Sequence, residues 1–190
     1  MSCELRIAAL SGLLCTGIVQ LAGCSAASGG DARAAENSRS LSPALIAEGQ
    51  RIFRYDTFGD EQLWTDQLRM HEVVQQVPPT TALAVGLKVD ADALPPGLLE
   101  TVDLDDPATT VALLKLDAVV GLQASVDADN RITRLGITCA LCHSTVDDAV
   151  APGIGHRLDG WPNLDLDPGA IIALSPAVPD AAKTVYNSWG

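Results

Sequence analysis

The stretch Cys139-Ala140-Leu141-Cys142-His143 decides how this chain is interpreted. Its two thiols stand three positions apart, and an imidazole follows the second thiol at once. One helical turn therefore lets both sulfurs reach one bound group while the adjacent imidazole projects toward a metal within it. The spacing predicts a cofactor site, with these three side chains as its contacts.

Cys-x-x-Cys-His is the spacing that attaches haem c covalently. Cys139 and Cys142 then form thioethers with two vinyl groups, and His143 is the proximal ligand of the iron. Two alternatives remain open. A thioredoxin-like redox pair needs a βαβ unit around it, and no such alternation is visible. A zinc site needs four ligands, and the only other imidazoles belong to His71 and His156.

The N-terminus has the layout of an export signal, because Arg6 precedes an apolar run that ends in Leu21-Ala22-Gly23-Cys24. These last four residues resemble the lipobox of bacterial lipoproteins. The resemblance implies cleavage after residue 23 and a diacylglyceryl group on Cys24, which anchors the protein to a membrane surface on the periplasmic side of a bacterial cell envelope. An ordinary cleaved leader or an uncleaved hydrophobic anchor is the alternative. Residues 24–41 lack apolar periodicity and predict a flexible tether.

The composition limits the number of domains and the class of protein that the rest of the chain can form. The 190 residues are 47% hydrophobic and 19% charged, which predicts one folded domain over residues 42–190 and argues against a disordered protein. Only Cys139 and Cys142 remain in that domain once Cys3, Cys15 and Cys24 are assigned to the signal and the anchor. The net charge of −12 excludes nucleic acid as a partner and predicts a redox partner protein with a basic docking patch.

Hydrophobic periodicity and turn residues predict mostly helices. The expected helices cover about 43–55, a second stretch from Asp60 that ends before Pro78, short pieces around 81–85 and 96–102, 107–116, and a regular stretch at 170–174. Runs of β-branched residues at 119–126 and 131–137 flank the turn Asp127–Asn130 and predict a β-hairpin just before Cys139.

At these residues the sequence resembles the bacterial c-type cytochromes. Ala47-Glu48-Gly49-Gln50-Arg51-Ile52-Phe53 is similar to the first helix of the small cytochrome c fold, and the stretch 155–164 is similar to its Gly-Pro-Asn-Leu loop. The resemblance implies a mainly α, cytochrome c-like domain with a helical insertion over 54–138, its first helix packed against its last. It also implies that the carbonyl of Pro162 accepts a hydrogen bond from the imidazole of His143. A less specific similarity links the chain to di-haem cytochrome c peroxidase-like oxidoreductases.

The sequence leaves three candidate sources for the sixth ligand of the iron. Met70 or His71 could reach back from the inserted segment, or His156 could bind from the loop after the motif. The third candidate is a chain truncated at its C-terminus, because 185–190 lacks the closing helix of the small cytochrome fold. A further C-terminal part could then supply the distal ligand or a second haem.

Two classes of function follow from one covalent haem c. The first is a lipid-anchored carrier of single electrons, which needs no catalytic residue. The second is a haem peroxidase or another oxidoreductase with an open distal site, for which His71, Glu72 and Arg157 are the candidate polar groups. A haem-based sensor of a gas or of redox state is a further alternative.

Overall fold

Helix α1, Pro43–Tyr55, is the first element of residues 42–189, the part of the chain that the computed structural model describes. Its start is encoded locally: Ser42 accepts a hydrogen bond from the backbone N–H of Leu45 at 3.2 Å, and Pro43 occupies the first helical position. The helix predicted for 43–55 is confirmed. None of its residues is buried, so its apolar side chains have few partners within the described residues.

The remaining helices are short. They are a π-helix Gln62–Gln67, α2 Met70–Val74, α3 Pro79–Ala84, a 3-10 helix Ala91–Ala93, α4 Pro107–Lys115, α5 Ala140–His143, α6 Pro168–Ala173 and α7 Asp180–Tyr186. The helix expected from Asp60 to Pro78 is wrong as one element, because Arg69 takes a left-handed conformation and separates the π-helix from α2. The stretch 96–102 forms turns instead of the expected helix, and α7 was not expected.

Within residues 42–189, six strands form three two-stranded sheets. The parallel pair is β1 Val89–Asp90 with β5 Ile154–Gly155, and the antiparallel pairs are β2 Leu122–Val126 with β3 Ile132–Ile137 and β4 Ser144–Val146 with β6 Arg157–Asp159. The fold is therefore mixed α/β, and the expectation of a mainly α, cytochrome c-like domain is wrong. Four of these strands have only two or three residues, which is too short for alternating hydrophobicity to reveal them.

The predicted hairpin before the motif is present as β2 and β3, and side chains of the preceding segment satisfy its free edge. The hydroxyl of Thr65 both accepts from the N–H of Leu135 and donates to its carbonyl, at 2.9 and 3.0 Å. Gln75 accepts from the N–H of Ile132 at 2.7 Å near the hairpin turn. Asp60 accepts from the last N–H of β3. These bonds keep polar backbone groups paired and hold residues 60–75 antiparallel along β3.

The apolar core lies between this hairpin and helices α2 and α4. Its buried members are Met70, Val89, Val111, Leu113, Leu114, Ala118, Val119, Leu122, Ile132, Leu135, Leu141 and Ile154. One of them, Leu141, lies between Cys139 and Cys142, so the Cys-x-x-Cys-His motif is attached directly to the core.

The first and last described helices do not form the pair that the resemblance implied. The last helix, α7, packs on α6, where the Cβ of an alanine at Gly169 would come within about 2.0 Å of the carbonyl oxygen of Tyr186. A Cβ placed on Gly49 of α1 would meet nothing within 4 Å. The implied close approach of Gly49 to the last helix is therefore wrong for the described residues.

The predicted signal peptide 1–23, the lipidation site Cys24 and the tether 24–41 lie outside the described residues. Between residues 42 and 189, no helix combines the length and the apolar character needed to cross a membrane.

Candidate functional site

The motif forms the single turn of helix α5 immediately after β3. Cys139 already has helical backbone angles, so Cys139, Cys142 and His143 stand at positions i, i+3 and i+4 of one turn and share one face. All three are exposed, and both thiols are free. Ala140 and Leu141 are buried on the opposite face. The structure thus brings the three predicted contact residues together on one accessible surface.

The buried face of α5 is held by an unusually close backbone contact. Gly121 has φ +80°, and a Cβ at this position would lie 2.2 Å from both N and Cα of Leu141. Only glycine fits here, because both the left-handed conformation and the close approach exclude a side chain. The N–H of Thr138 also donates to the carbonyl of Gly121 at 2.9 Å. The hairpin therefore fixes where the motif begins.

The loop after the motif bonds to its C-terminal end. The N–H of Gly160 donates to the carbonyl of His143 at 2.8 Å, and the N–H of Asn163 donates to the carbonyl of Cys142 at 3.0 Å. These two bonds satisfy carbonyl groups that a helix end leaves without intrahelical partners. The side chain of Asn163 continues to the carbonyl of Gly86 at 2.9 Å, which ties the loop to the body of the fold.

Pro162 is an exposed residue of the same loop, two positions after Gly160. None of the hydrogen bonds of residues 42–189 joins its carbonyl to the imidazole of His143, and the implied role of this carbonyl stays a prediction. Within the same residues, the ring of His143 makes no hydrogen bond, so no protein group occupies its nitrogens.

Apolar side chains are exposed in the loop that bonds to α5. Trp161 retains 63% of its surface and Leu164 retains 87%. Leu45 and Ile46 of α1 are each 56% exposed, although they belong to the apolar side of that helix.

A cluster of charged side chains centres on Asp159, the last residue of β6. Its carboxylate accepts from Ser144 Oγ at 2.8 Å, from Arg157 Nε at 2.8 Å, from Arg54 Nε at 2.6 Å and from Gln50 Nε2 at 3.2 Å. Burial alone would raise the pKa of Asp159. The hydrogen bonds from Ser144, Arg54 and Gln50, together with the charge of Arg157, outweigh burial and hold this pKa below its ordinary value.

Sequence reasoning missed this cluster as a unit. It proposed Arg157 only as a polar group for an open distal site, whereas the side chain is 3% exposed and bonded to Asp159. The pairing of β4 with β6, which places Ser144 opposite Asp159, could not be read from strands of three residues. The one available signal was the alternation Arg157-Leu158-Asp159 directly before a glycine.

Met70 and His71 lie away from the exposed face of the motif. They stand between Thr65 and Gln75, which bond to the middle and the turn end of β3, whereas Cys139 follows the other end of that strand. The Met70 side chain is 2% exposed and packs in the core. His71 is partly buried, and its Nδ1 has no hydrogen-bond partner. Met70 shares the core with the buried Leu141 of α5 and does not lie on the exposed face that presents the thiols.

His156 is exposed directly before β6, and its Nδ1 lies 2.8 Å from Asp92 Oδ1. The hydrogen bond to Asp92, its negative charge and the charge of Asp147 raise the pKa of His156 above its ordinary value. In this structure the imidazole of His156 therefore pairs with the carboxylate of Asp92. Glu72, the other polar group suggested for a distal site, is paired with Arg69 at 2.7 Å on the surface.

The structure also bears on the two alternative interpretations of the thiols, a redox pair and a zinc site. The motif follows a strand of an antiparallel hairpin, whereas a thioredoxin-like pair follows a strand of a βαβ unit. Across residues 42–189, no group of three or more His, Cys, Asp or Glu side chains is arranged to hold a metal ion.

Comparison with known proteins adds no relative. Models of protein families, curated proteins and solved structures were each searched, and no match was found.

Proposed function

We propose that the protein binds one haem c covalently through Cys139 and Cys142, with His143 as the proximal ligand, and carries single electrons outside the cytoplasm. The observation that carries the proposal is the orientation of helix α5. Its two thiols and its imidazole share an exposed face, while Ala140 and Leu141 bury the opposite face. A site built in this way is ready to receive a large planar group from the solvent side.

The attachment chemistry suits free, exposed thiols. Each thiol would add across a vinyl C=C bond of the bound group, its sulfur bonding to one carbon and its hydrogen to the other. No electron is gained or lost in this addition, and no oxidant or reductant is consumed. It does require that Cys139 and Cys142 are not joined in a disulfide, and both are free.

Neighbouring residues supply the apolar contacts that such a group requires. Trp161 and Leu164 expose apolar surface in the loop that bonds to Cys142 and His143. Covering this surface would contribute roughly 25 cal/mol for each Å² removed from water. When bound, haem supplies a one-electron couple at its iron, and the imidazole of His143 tunes that couple through its basicity.

The envelope location and the partner belong to the same proposal. A lipid anchor at Cys24 would hold the domain near a membrane, and the net charge of −12 would steer a redox partner with a basic docking patch. Loss of the membrane fraction in Cys24→Ala tests the anchor. Association with the partner should slow as salt screens these charges.

The decisive experiment compares the exported wild type with Cys139→Ala/Cys142→Ala. Haem that stays with the wild-type chain after denaturation, and is absent from the double variant, supports the proposal. Both thiols are exposed, so the variant should keep the stability of the unloaded protein, and urea unfolding serves as the folding control. Equal haem retention in both proteins, or none in the wild type, overturns covalent attachment.

Carbon monoxide then distinguishes a carrier from an enzyme or a sensor. A reduced spectrum that carbon monoxide leaves unchanged supports the electron carrier, because a protein ligand then closes the distal face of the iron. A shifted spectrum instead supports the haem peroxidase, oxidoreductase or sensor alternatives, whose distal face is open.

A further inference from the structure

Besides the bond from Asn163 to Cys142, the C-terminal end of helix α5 is held by the short segment Asp159-Gly160. Gly160 donates its N–H to the carbonyl of His143 at 2.8 Å, and Ser144, the next residue, donates its hydroxyl to Asp159 at 2.8 Å. Ser144 is fully buried and stands opposite Asp159 in the pairing of β4 with β6. The backbone that carries the imidazole of His143 is thus held by two bonds to adjacent residues.

Asp159 itself is held from two sides by arginines. Arg54 comes from α1 at 2.6 Å, and Arg157 comes from its own strand at 2.8 Å. The Arg157 side chain is only 3% exposed, and its Nη2 has no hydrogen-bond partner. Removing the carboxylate would leave a buried guanidinium without its counter-charge, which is a costly arrangement in a protein interior.

The cluster also has a charge of its own. Two arginines and one aspartate give a formal charge of +1 to this cluster, which is bonded to Ser144, the residue after His143, in a protein whose net charge is −12. Charges close to a metal ligand act on the reduction potential of the metal, because reduction changes the charge of the site by one unit.

We propose that Asp159 is a positioning residue for His143, and that together with Arg54 and Arg157 it sets the local charge at this ligand. Asp159 holds Ser144, the residue that follows His143, and its bonds from Arg54 and Gln50 join α1 to this end of the haem-attachment helix. The inference rests on the proposed function, since it assigns a role to residues around the proximal ligand.

The first test uses the unloaded protein and measures amide hydrogen exchange. Asp159→Asn keeps the shape of the side chain but removes the charge, and we expect the Gly160 amide to exchange at least about tenfold faster. Ser144→Ala removes only the hydroxyl bond and should accelerate the same amide by a smaller factor. Asp66→Asn is the matched control, because Asp66 pairs with Arg134 at 3.3 Å on the exposed surface. Unchanged Gly160 exchange in both site variants overturns the positioning role.

The second test measures the reduction potential of the haem-loaded protein. Asp159→Asn should raise the potential, since loss of a negative charge favours the reduced iron, and Arg54→Gln should lower it. General loosening of the site would move both variants in the same direction, so opposite shifts distinguish charge from damage. Shifts of the same sign, or shifts no larger than that of Asp66→Asn, overturn the electrostatic role. A wild type that binds no haem refutes the proposed function, while the hydrogen-exchange result still decides the positioning role.

Discussion

The two faces of helix α5 differ in almost every physical respect. The face that includes Ala140 and Leu141 is buried, and the backbone of Gly121 approaches it too closely for any side chain. The other face presents two free thiols and an imidazole to solvent, beside exposed apolar groups of the following loop. One face is complete in the unloaded protein, whereas the other has reactive groups and uncovered apolar surface. Under the proposed function, the buried face fixes the helix and the exposed face provides the contacts for the cofactor.

The largest effect should come from breaking the buried face at Gly121. We expect Gly121→Ala to destabilise the unloaded protein by about 3 kcal/mol or more, because the new Cβ strains a left-handed residue and forces the backbone of Leu141 to move. Urea unfolding measures the change, and the yield of haem attachment should fall with it.

Gly49→Ala is the matched control for that substitution. It lies in the interior of α1 with open space around the new Cβ, so it should leave stability unchanged or raise it by up to about 1 kcal/mol. Equal losses in the two glycine variants would contradict the difference in packing between α5 and α1.

Two leucines, one buried and one exposed, should show the next-largest difference in the free energy of unfolding. Leu141→Ala creates a cavity in the core and should cost about 2–3 kcal/mol in the free energy of unfolding. Leu164→Ala removes an exposed side chain and should change this free energy by less than about 0.5 kcal/mol in the unloaded protein. Chemical denaturation of both variants checks the difference. Similar losses at the two positions would mean that Leu164 packs against the fold before any cofactor binds.

The smallest effect concerns a charged pair on the exposed surface. Asp92→Asn should return the pKa of His156 toward its ordinary value, because the hydrogen bond and the charge of Asp92 raise it. A raised pKa stabilises the fold below the unfolded pKa of histidine, and this contribution disappears as pH rises through the folded value. Proton NMR titration of the imidazole follows the change. A His156 pKa that Asp92→Asn leaves in place would show that Asp92 is not its partner in solution.

Several elements could be predicted because their signals are local. Ser42-Pro43 specifies the start of α1, Asp106-Pro107 specifies the start of α4, and the turn at Asp127–Asn130 specifies the hairpin. The spacing of Cys139, Cys142 and His143 likewise places three groups on one helical turn. In each case, neighbouring residues are sufficient because the interactions span no more than about one turn of the chain.

Other features depended on contacts between distant parts of the chain. The mixed α/β character comes from strands such as β1 and β5, which are too short to form without each other. The placement of Met70 in the core, and not on the exposed face of α5, follows from how residues 60–75 bond along β3. The cluster at Asp159 joins residues more than a hundred positions apart, and no local pattern records such a meeting.

Sequence spacing was therefore enough to place Cys139, Cys142 and His143 on one turn of helix. Tertiary packing alone decided which face of that turn is buried, what holds His143 in place and which of its expected partners lie elsewhere. The physical reason is the range of the interactions: helical turns and caps are settled within a few residues, whereas burial and ion pairing depend on segments that meet only in the folded chain.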